Sequence, residues 1–168
     1  MSQIDWEHVY WELAPRLFNF FRYRTEETEI AQDLTSRTFL QAWRYRHSYQ
    51  HDVGAFEAWL FQIARNVFSA YIKESRNQPL PLKEAQYLPS DFSLEDIVHD
   101  QFESERLYHL LLQLPFREQD IIAMKFGAGL TNRAIARVME LSESNIGTIL
   151  HRTIQTLRIQ WELAYERE

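Results

Sequence analysis

Residues 131–157 read TNRAIARVMELSESNIGTILHRTIQTL, and this stretch decides the fold. Thr131 is followed by Ala134, Ile135, Val138 and Met139, an apolar stripe at helical spacing. Glu140–Leu141 makes a short connection. Ser142 then opens a longer stripe of Ile146, Ile149, Leu150, Ile154 and Leu157. Threonine and serine suit both starts, because their side-chain oxygens accept from the free amides of a first helical turn. A short helix, a tight connection and a longer capped helix together predict a helix-turn-helix. The apolar stripes hold such a pair together. The remaining face of the second helix presents Ser144, Asn145, Thr148, His151 and Arg152. Small polar residues near a helix N-terminus suit approach to phosphate, where the free amides and the dipole attract negative charge. Arg152 has the fork geometry for phosphate or guanine, and Asn145 that for adenine. Arg133, Arg137 and Lys125 are candidate phosphate contacts. A three-helix bundle with a merely solvated polar face fits the same pattern. Residues 131–160 carry only four arginines against two glutamates, a weak basic signature.

Outward from this pair the chain stays helical. Arg117 to Phe126 carries Ile121, Ile122 and Met124, and Gly127 and Gly129 are expected to break it. Ser93-Leu-Glu-Asp96 has the spacing of a capping box. It would open a helix bearing Phe102, Leu107, Leu110, Leu111 and Leu114 as far as Pro115. Asn77 to Phe92 holds Pro79, Pro81 and Pro89, which lack an amide donor and turn the preceding residue away from helix. Before that lie three stripes: Tyr10, Leu13, Leu17, Phe20 and Phe21; Ile30, Leu34, Leu40 and Trp43 between about Glu27 and Arg44; and Phe56, Trp59, Leu60, Ile63 and Val67 between about Ala55 and Arg76. Strict alternation of strand type appears nowhere at useful length. The expected fold is all-α: two small helical domains, 1–77 and 94–168, joined by a proline-containing linker over 78–93.

Composition narrows the function. The 168 residues include 18 Lys+Arg against 24 Asp+Glu, a net charge of −6, which argues against coating nucleic acid by bulk charge. That acidity is local. Lys83 stands against Glu84, Asp91, Glu95, Asp96, Asp100, Glu103 and Glu105, whereas the flanking modules are nearly neutral. By repelling DNA, this segment should suppress free binding by the modules. The absence of cysteine excludes a disulfide scaffold, a thiolate zinc finger and a cysteine nucleophile, and it suits a reducing compartment. No apolar run approaches bilayer-spanning length. The start, MSQIDWEHVYWE, is acidic and broken by charge, unlike a signal peptide. The expectation is a soluble, cytoplasmic protein.

Two further motif sets become specific when taken in order. Leu114-Pro-Phe-Arg-Glu-Gln…Ile121-Ile122, Gly129-Leu-Thr…Ile135-Ala136 and Leu141-Ser142-Glu-Ser-Asn-Ile-Gly-Thr…Leu150-His-Arg152 resemble domain four of bacterial sigma factors. Asp33-Leu34…Phe39-Leu-Gln-Ala-Trp43-Arg and Phe56…Trp59-Leu-Phe-Gln-Ile-Ala-Arg-Asn66 resemble domain two of the extracytoplasmic-function group. Together they cover nearly the whole chain. The resemblance implies a non-enzymatic subunit that binds core RNA polymerase, reads the promoter -35 element with domain four, and reads and opens the -10 element with domain two. It implies docking on the β′ clamp helices through Asp33, Leu34 and Phe39, and on the β flap. It also implies capture of a flipped base by the loop Tyr49–Ala55 and Asn66, where amide groups and flat apolar walls suit an unstacked base. Arg65, Lys73 and Arg76 would track the backbone there. An anti-sigma factor is an implied partner, and no cofactor is. Departures are specific: Ser36-Arg37 where the group commonly has Gln-Glu, Ala70 and Glu74 on the third helix, Gly147 and Ile149 where many relatives carry Lys and Arg, and Glu140 where the turn often has Gly. Gly147 and Ile149 remove positive charge from the recognition helix, so binding by the isolated chain should be weak with a shallow salt slope.

Other chemistries have less to stand on. The alternative reading is a stand-alone helix-turn-helix regulator, which requires a dimer on a two-fold operator. A helical enzyme using acidic and histidine side chains would need a site that the sequence does not nominate. His47-x-x-x-His51-Asp52 has helical ligand spacing but no third convergent ligand, so no metal site is expected. Phosphate-loop, serine-hydrolase and zincin motifs are absent. Most aromatic residues fall at core spacing, leaving Tyr45, Tyr49 and Tyr71 as further candidates for contact with DNA.

Overall fold

The structure, a computed structural model, describes residues 4–50, 55–77 and 104–166. All regular elements among them are helical. The expected linker and the capping box at Ser93–Asp96 lie outside the described residues, as does Phe102.

Helix α1 (Trp6–Arg22) starts at Asp5, whose carboxylate accepts from the His8 amide at 3.1 Å. It buries Leu13, Leu17, Phe20 and Phe21, as its stripe predicts, while Tyr10 stays largely outside. Helix α2 (Thr28–Arg44) departs from expectation. Its buried face is Ala31, Leu34, Thr35, Thr38 and Ala42, whereas Leu40 is 51% and Trp43 47% exposed. The reason is close approach. α2 packs against both α1 and α3, and small side chains let the helix axes come near. The Thr35 and Thr38 hydroxyls donate back to the carbonyls of Ala31 and Leu34 at 2.7 and 2.8 Å, so burying them leaves no polar atom unpaired. A 3-10 turn (Arg46–Ser48) follows. Helix α3 (Ala55–Arg76) buries Leu60, Phe61, Ile63, Ala64, Val67 and Phe68.

The second module opens on helix α4, described over 104–112. Helix α5 (Phe116–Ile122) runs on into a π turn (Ala123–Gly127). Gly129 has φ +67°, in the left-handed region, and ends this segment. Gly127 is there for another reason: a Cβ on it would sit 2.9 Å from the Asn19 carbonyl oxygen and from Tyr23 Cδ2 on the first module. Helix α6 (Asn132–Met139) is capped by Thr131, which accepts from the Ala134 amide at 3.1 Å. Helix α7 (Glu143–Tyr165) is capped by Ser142, which accepts from the Asn145 amide at 3.1 Å. It continues two turns past Leu157. Between α6 and α7, Glu140 is the only non-glycine residue described with positive φ (56°). The two modules share one core: α1 lies on the π turn and α3 lies on α6.

Candidate nucleic-acid and polymerase interfaces

The helix-turn-helix exposes seven of the residues named for it, whereas Lys125, on the π turn, is half-buried. Ser144, Asn145, Thr148, His151 and Arg152 are all exposed on α7, at spacings that keep them on one side. Arg133 and Arg137 are exposed on α6. Ile146, Ile149 and Leu150 point the other way, into the core. Arg133 pairs with Glu143 at 3.5 Å across the turn. Both side chains are mostly in water, so the pair is worth well under about 1 kcal/mol and yields easily to a phosphate. Thr148 donates to the Ser144 carbonyl at 3.1 Å, leaving its oxygen lone pairs free to accept.

On the first module the candidates separate. Asn66, Lys73 and Arg76 are exposed along α3. Tyr49 is half-buried, its ring 5.3 Å from Phe56 and 5.2 Å from Trp59 between centroids, so it forms one wall of an aromatic cluster. Residues 51–54 of the expected base-capturing loop lie outside the described residues, with His51 and Asp52 of the metal motif. Arg65 does not run free along the helix: its Nε donates to Asp120 of the second module at 2.9 Å. Glu74 faces Arg37 at 3.4 Å and Asp33 lies 2.8 Å from the same guanidinium, all on the surface.

The residues named for polymerase divide as well. Asp33 is exposed, and Phe39 is half-buried with its ring 4.9 Å from Tyr10. Leu34 is fully buried. It holds α2 on the core and cannot meet a partner directly, so the expectation is corrected at that position. The apolar residue that does face outward beside Asp33 and Arg37 is Leu40, one helical turn on. Trp43 joins it, edge-on to Trp6 at 5.2 Å and under the Arg46 guanidinium at 4.1 Å. On α1, Trp11 is 71% exposed and edge-on to Tyr10 at 5.7 Å. Hydropathy at helical spacing puts Leu40 and Trp43 on the core stripe of α2. The signal available was the run of Ala and Thr on the opposite side of α2.

A buried ionic centre joins the modules. Asp120, almost wholly buried, receives an Arg24 hydrogen bond on one oxygen and Arg65 on the other. The Arg24 guanidinium lies against both Phe68 of α3 and Phe116 of α5, 4.4 Å from each ring centroid, and the two rings stack on each other at 6.1 Å. Its Nε and Nη2 have no hydrogen-bond partner. Burial pushes the Arg24 guanidinium below its ordinary pKa, and the Asp120 carboxylate works against that shift. Tyr108 of α4 donates to the Arg24 carbonyl at 3.3 Å. Burial, with the Glu26 charge adding, pushes its phenol above the ordinary value. Arg16 of α1 also crosses the seam, its Nε donating to the Ala128 carbonyl at 2.7 Å. Among the described residues no helix is long and apolar enough to cross a membrane.

Residues 9–78 match Sigma-70 region 2, and residues 104–157 match Sigma-70 region 4. The chain is similar to the ECF RNA polymerase sigma factor BldN of Streptomyces coelicolor, 30% identical over 156 residues, covering 89% of this chain and 57% of that protein. It is similar to the ECF RNA polymerase sigma factor SigM of Bacillus subtilis, 24% identical over 152 residues, covering 90% and 92%. The fold is shared with the sigma factor RpoE of Bartonella quintana, solved with the anti-sigma factor NepR (TM-score 0.66, 20% identity, 94% and 97% covered). It is shared too with CnrH, solved with the cytosolic domain of CnrY (TM-score 0.64, 20% identity, 94% and 88% covered).

Proposed function

The chain belongs to the extracytoplasmic-function group of the sigma-70 family, non-enzymatic factors that direct promoter recognition by RNA polymerase, and we propose how its own residues divide that work. Domain four reads the -35 element. Arg133 and Arg137 hold the backbone, and Ser144, Asn145, Thr148, His151 and Arg152 enter the major groove. The observation that carries this assignment is that all seven are exposed together while the apolar side of the same two helices is sealed. Domain two reads the -10 element through Asn66, Lys73, Arg76 and, once released from Asp120, Arg65. The cluster of Tyr49, Phe56 and Trp59 offers a flat wall for an unstacked base. The polymerase β′ clamp helices meet α2 at Asp33, Leu40 and Trp43, with Phe39 supporting from behind; the β flap meets domain four. The work is done in the cytoplasm, where polymerase and promoter are. An anti-sigma factor, as NepR is to RpoE of Bartonella quintana, is a further proposed partner.

The test is run-off transcription from a randomised promoter library with purified protein and core polymerase. Transcripts from a defined promoter class should appear only when both components are present. No enriched promoter in the library sinks the reading. Tight, polymerase-independent binding to a two-fold operator in a gel shift would instead favour a stand-alone regulator.

A further inference from the structure

We propose that Arg37 sets the strength and selectivity of polymerase docking: in the free chain it masks Asp33, and Glu74 draws it aside when a basic side chain of the clamp helices takes its place. The inference deepens the reading of α2 as the polymerase-facing helix and rests on it.

Asp33, Arg37, Leu40 and Arg44 recur at helical spacing and are all exposed, so they form one stripe along α2. Trp43 flanks it. Leu40 and Trp43 supply apolar area, and the charges decide which partner fits. In the free chain the Asp33 carboxylate is already occupied: Arg37 Nε lies 2.8 Å from its Oδ2. A docking cation must displace an internal one. Glu74 of α3 lies 3.4 Å from Arg37 Nη1, long enough for the guanidinium to tighten onto it. A guanidinium can serve two carboxylates because its donors are spread over a planar fork. Arg37 is 47% exposed and both acids more so, so neither pair holds strongly and exchange between them costs little.

Two observations set this triad apart from a solvated surface cluster. Arg37 and Glu74 are both departures from the sigma-factor pattern, 37 residues apart in sequence, and the fold joins them in one ion pair. The charges also favour a cation as the incoming group. Two carboxylates surround one guanidinium, and exposed Glu29 adds a third acid one turn before Asp33. A basic partner group is attracted there, whereas an acidic one reaching for Arg37 would meet repulsion. Glu74 stands on the neighbouring helix, so it can hold Arg37 off the stripe. A partner surface without a cation opposite Asp33 gains nothing from displacing Arg37, which is how the mask selects.

Displacement of a fluorescently labelled unmodified chain from core polymerase measures docking, at low ionic strength where exposed charges act most. Arg37→Gln leaves Asp33 without its internal cation and should tighten docking roughly fivefold or more. Glu74→Gln leaves Arg37 with Asp33 alone and should weaken docking about twofold to threefold. In the double variant the Glu74→Gln loss should vanish, because no Arg37 remains to be held aside. That dependence separates a positioning role from a direct contact. Asp33→Asn should likewise abolish the gain from Arg37→Gln. The Arg37 and Glu74 changes lie on exposed side chains and should leave the urea midpoint nearly unaltered. Weaker or unchanged docking in Arg37→Gln, or a Glu74→Gln loss that persists without Arg37, overturns the mask even if transcription is normal. A chain that binds core polymerase in none of its forms overturns the functional reading, and the mask with it.

Discussion

Glu140 supports the most direct test of the helix-turn-helix geometry. Its φ of 56° and ψ of 41° put it in the left-handed region, where a side chain crowds the following carbonyl at a cost of about 1–2 kcal/mol. The conformation is imposed by the turn. The Leu141 amide donates to the Ala136 carbonyl at 3.0 Å, closing the end of α6. Glu140 therefore pays for the sharp reversal that aims α7. Its carboxylate also sits at the negative end of α6, unfavourable by a further few tenths of a kcal/mol. Glu140→Gly removes both penalties and loses some of the gain to the greater backbone freedom of the unfolded chain. The net should be about 1 kcal/mol of added stability, seen as a higher urea midpoint at unchanged slope or a melting temperature raised by about 2–4 °C. Glu140→Ala removes the charge but keeps the crowding, so it should gain only the smaller part. Circular dichroism of the three proteins side by side decides the matter. If Glu140→Gly is no more stable than Glu140→Ala, the turn is not strained and the reasoning fails.

Four other outcomes follow from the structure. Leu40→Glu and Trp43→Glu should each weaken assembly with core polymerase tenfold or more, measured by native gel or fluorescence anisotropy, with little change in melting. Leu34→Ala, a cavity in the core, should cost about 2–5 kcal/mol of stability in urea unfolding. Arg152→Ala should cost about 1–3 kcal/mol in holoenzyme binding to -35 duplex, and reduce the salt slope by about one if its partner is a phosphate. Tyr108 makes the seam sensitive to alkali. Its folded pKa is raised, so the folded protein holds the proton more tightly and the associated stability is complete below pH 10. It is lost as pH rises past the unfolded value towards the folded one. The urea midpoint should fall in that range, and less so in Tyr108→Phe.

How much of this was legible in the sequence depended on the range of the interaction. Caps act over three residues, and Thr131 and Ser142 were readable because a hydroxyl three positions before an amide is a local fact. α1 was readable because its four buried side chains are large and periodic. α2 was half legible. Hydropathy points to Leu40 and Trp43 as core, whereas helix packing puts Ala31, Thr35, Thr38 and Ala42 there. Size, rather than polarity, set the inward side. Gly127 shows the same limit. As a sequence signal it is a helix breaker, but the structure uses its missing side chain for contact with a residue more than a hundred positions away. The Arg24–Asp120 pair spans 96 residues, and nothing periodic announces it.

The net charge of −6 and the packed seam between the modules both predict weak binding to DNA by the free chain, and they can be told apart. Charge acts through counterions, so it changes how affinity falls with salt. Closure acts through population: if one molecule in a hundred is open, the apparent affinity falls about a hundredfold at every salt concentration. Gly127→Ala changes no charge. It should raise affinity for a -10 strand at all salt concentrations, displacing the line of log affinity against log salt without tilting it. Replacing Glu84, Asp91, Glu95, Asp96, Asp100, Glu103 and Glu105 by amides leaves the clamp on Asp120 intact, so it should act most at low salt and fade as screening sets in. The two changes touch separate parts of the chain and should combine additively in free energy. A tilt in the Gly127→Ala line would mean that opening exposes new phosphate contacts beyond Arg65. An unaltered line would mean that the closed seam never limited binding, and the acidic segment would then carry the whole effect.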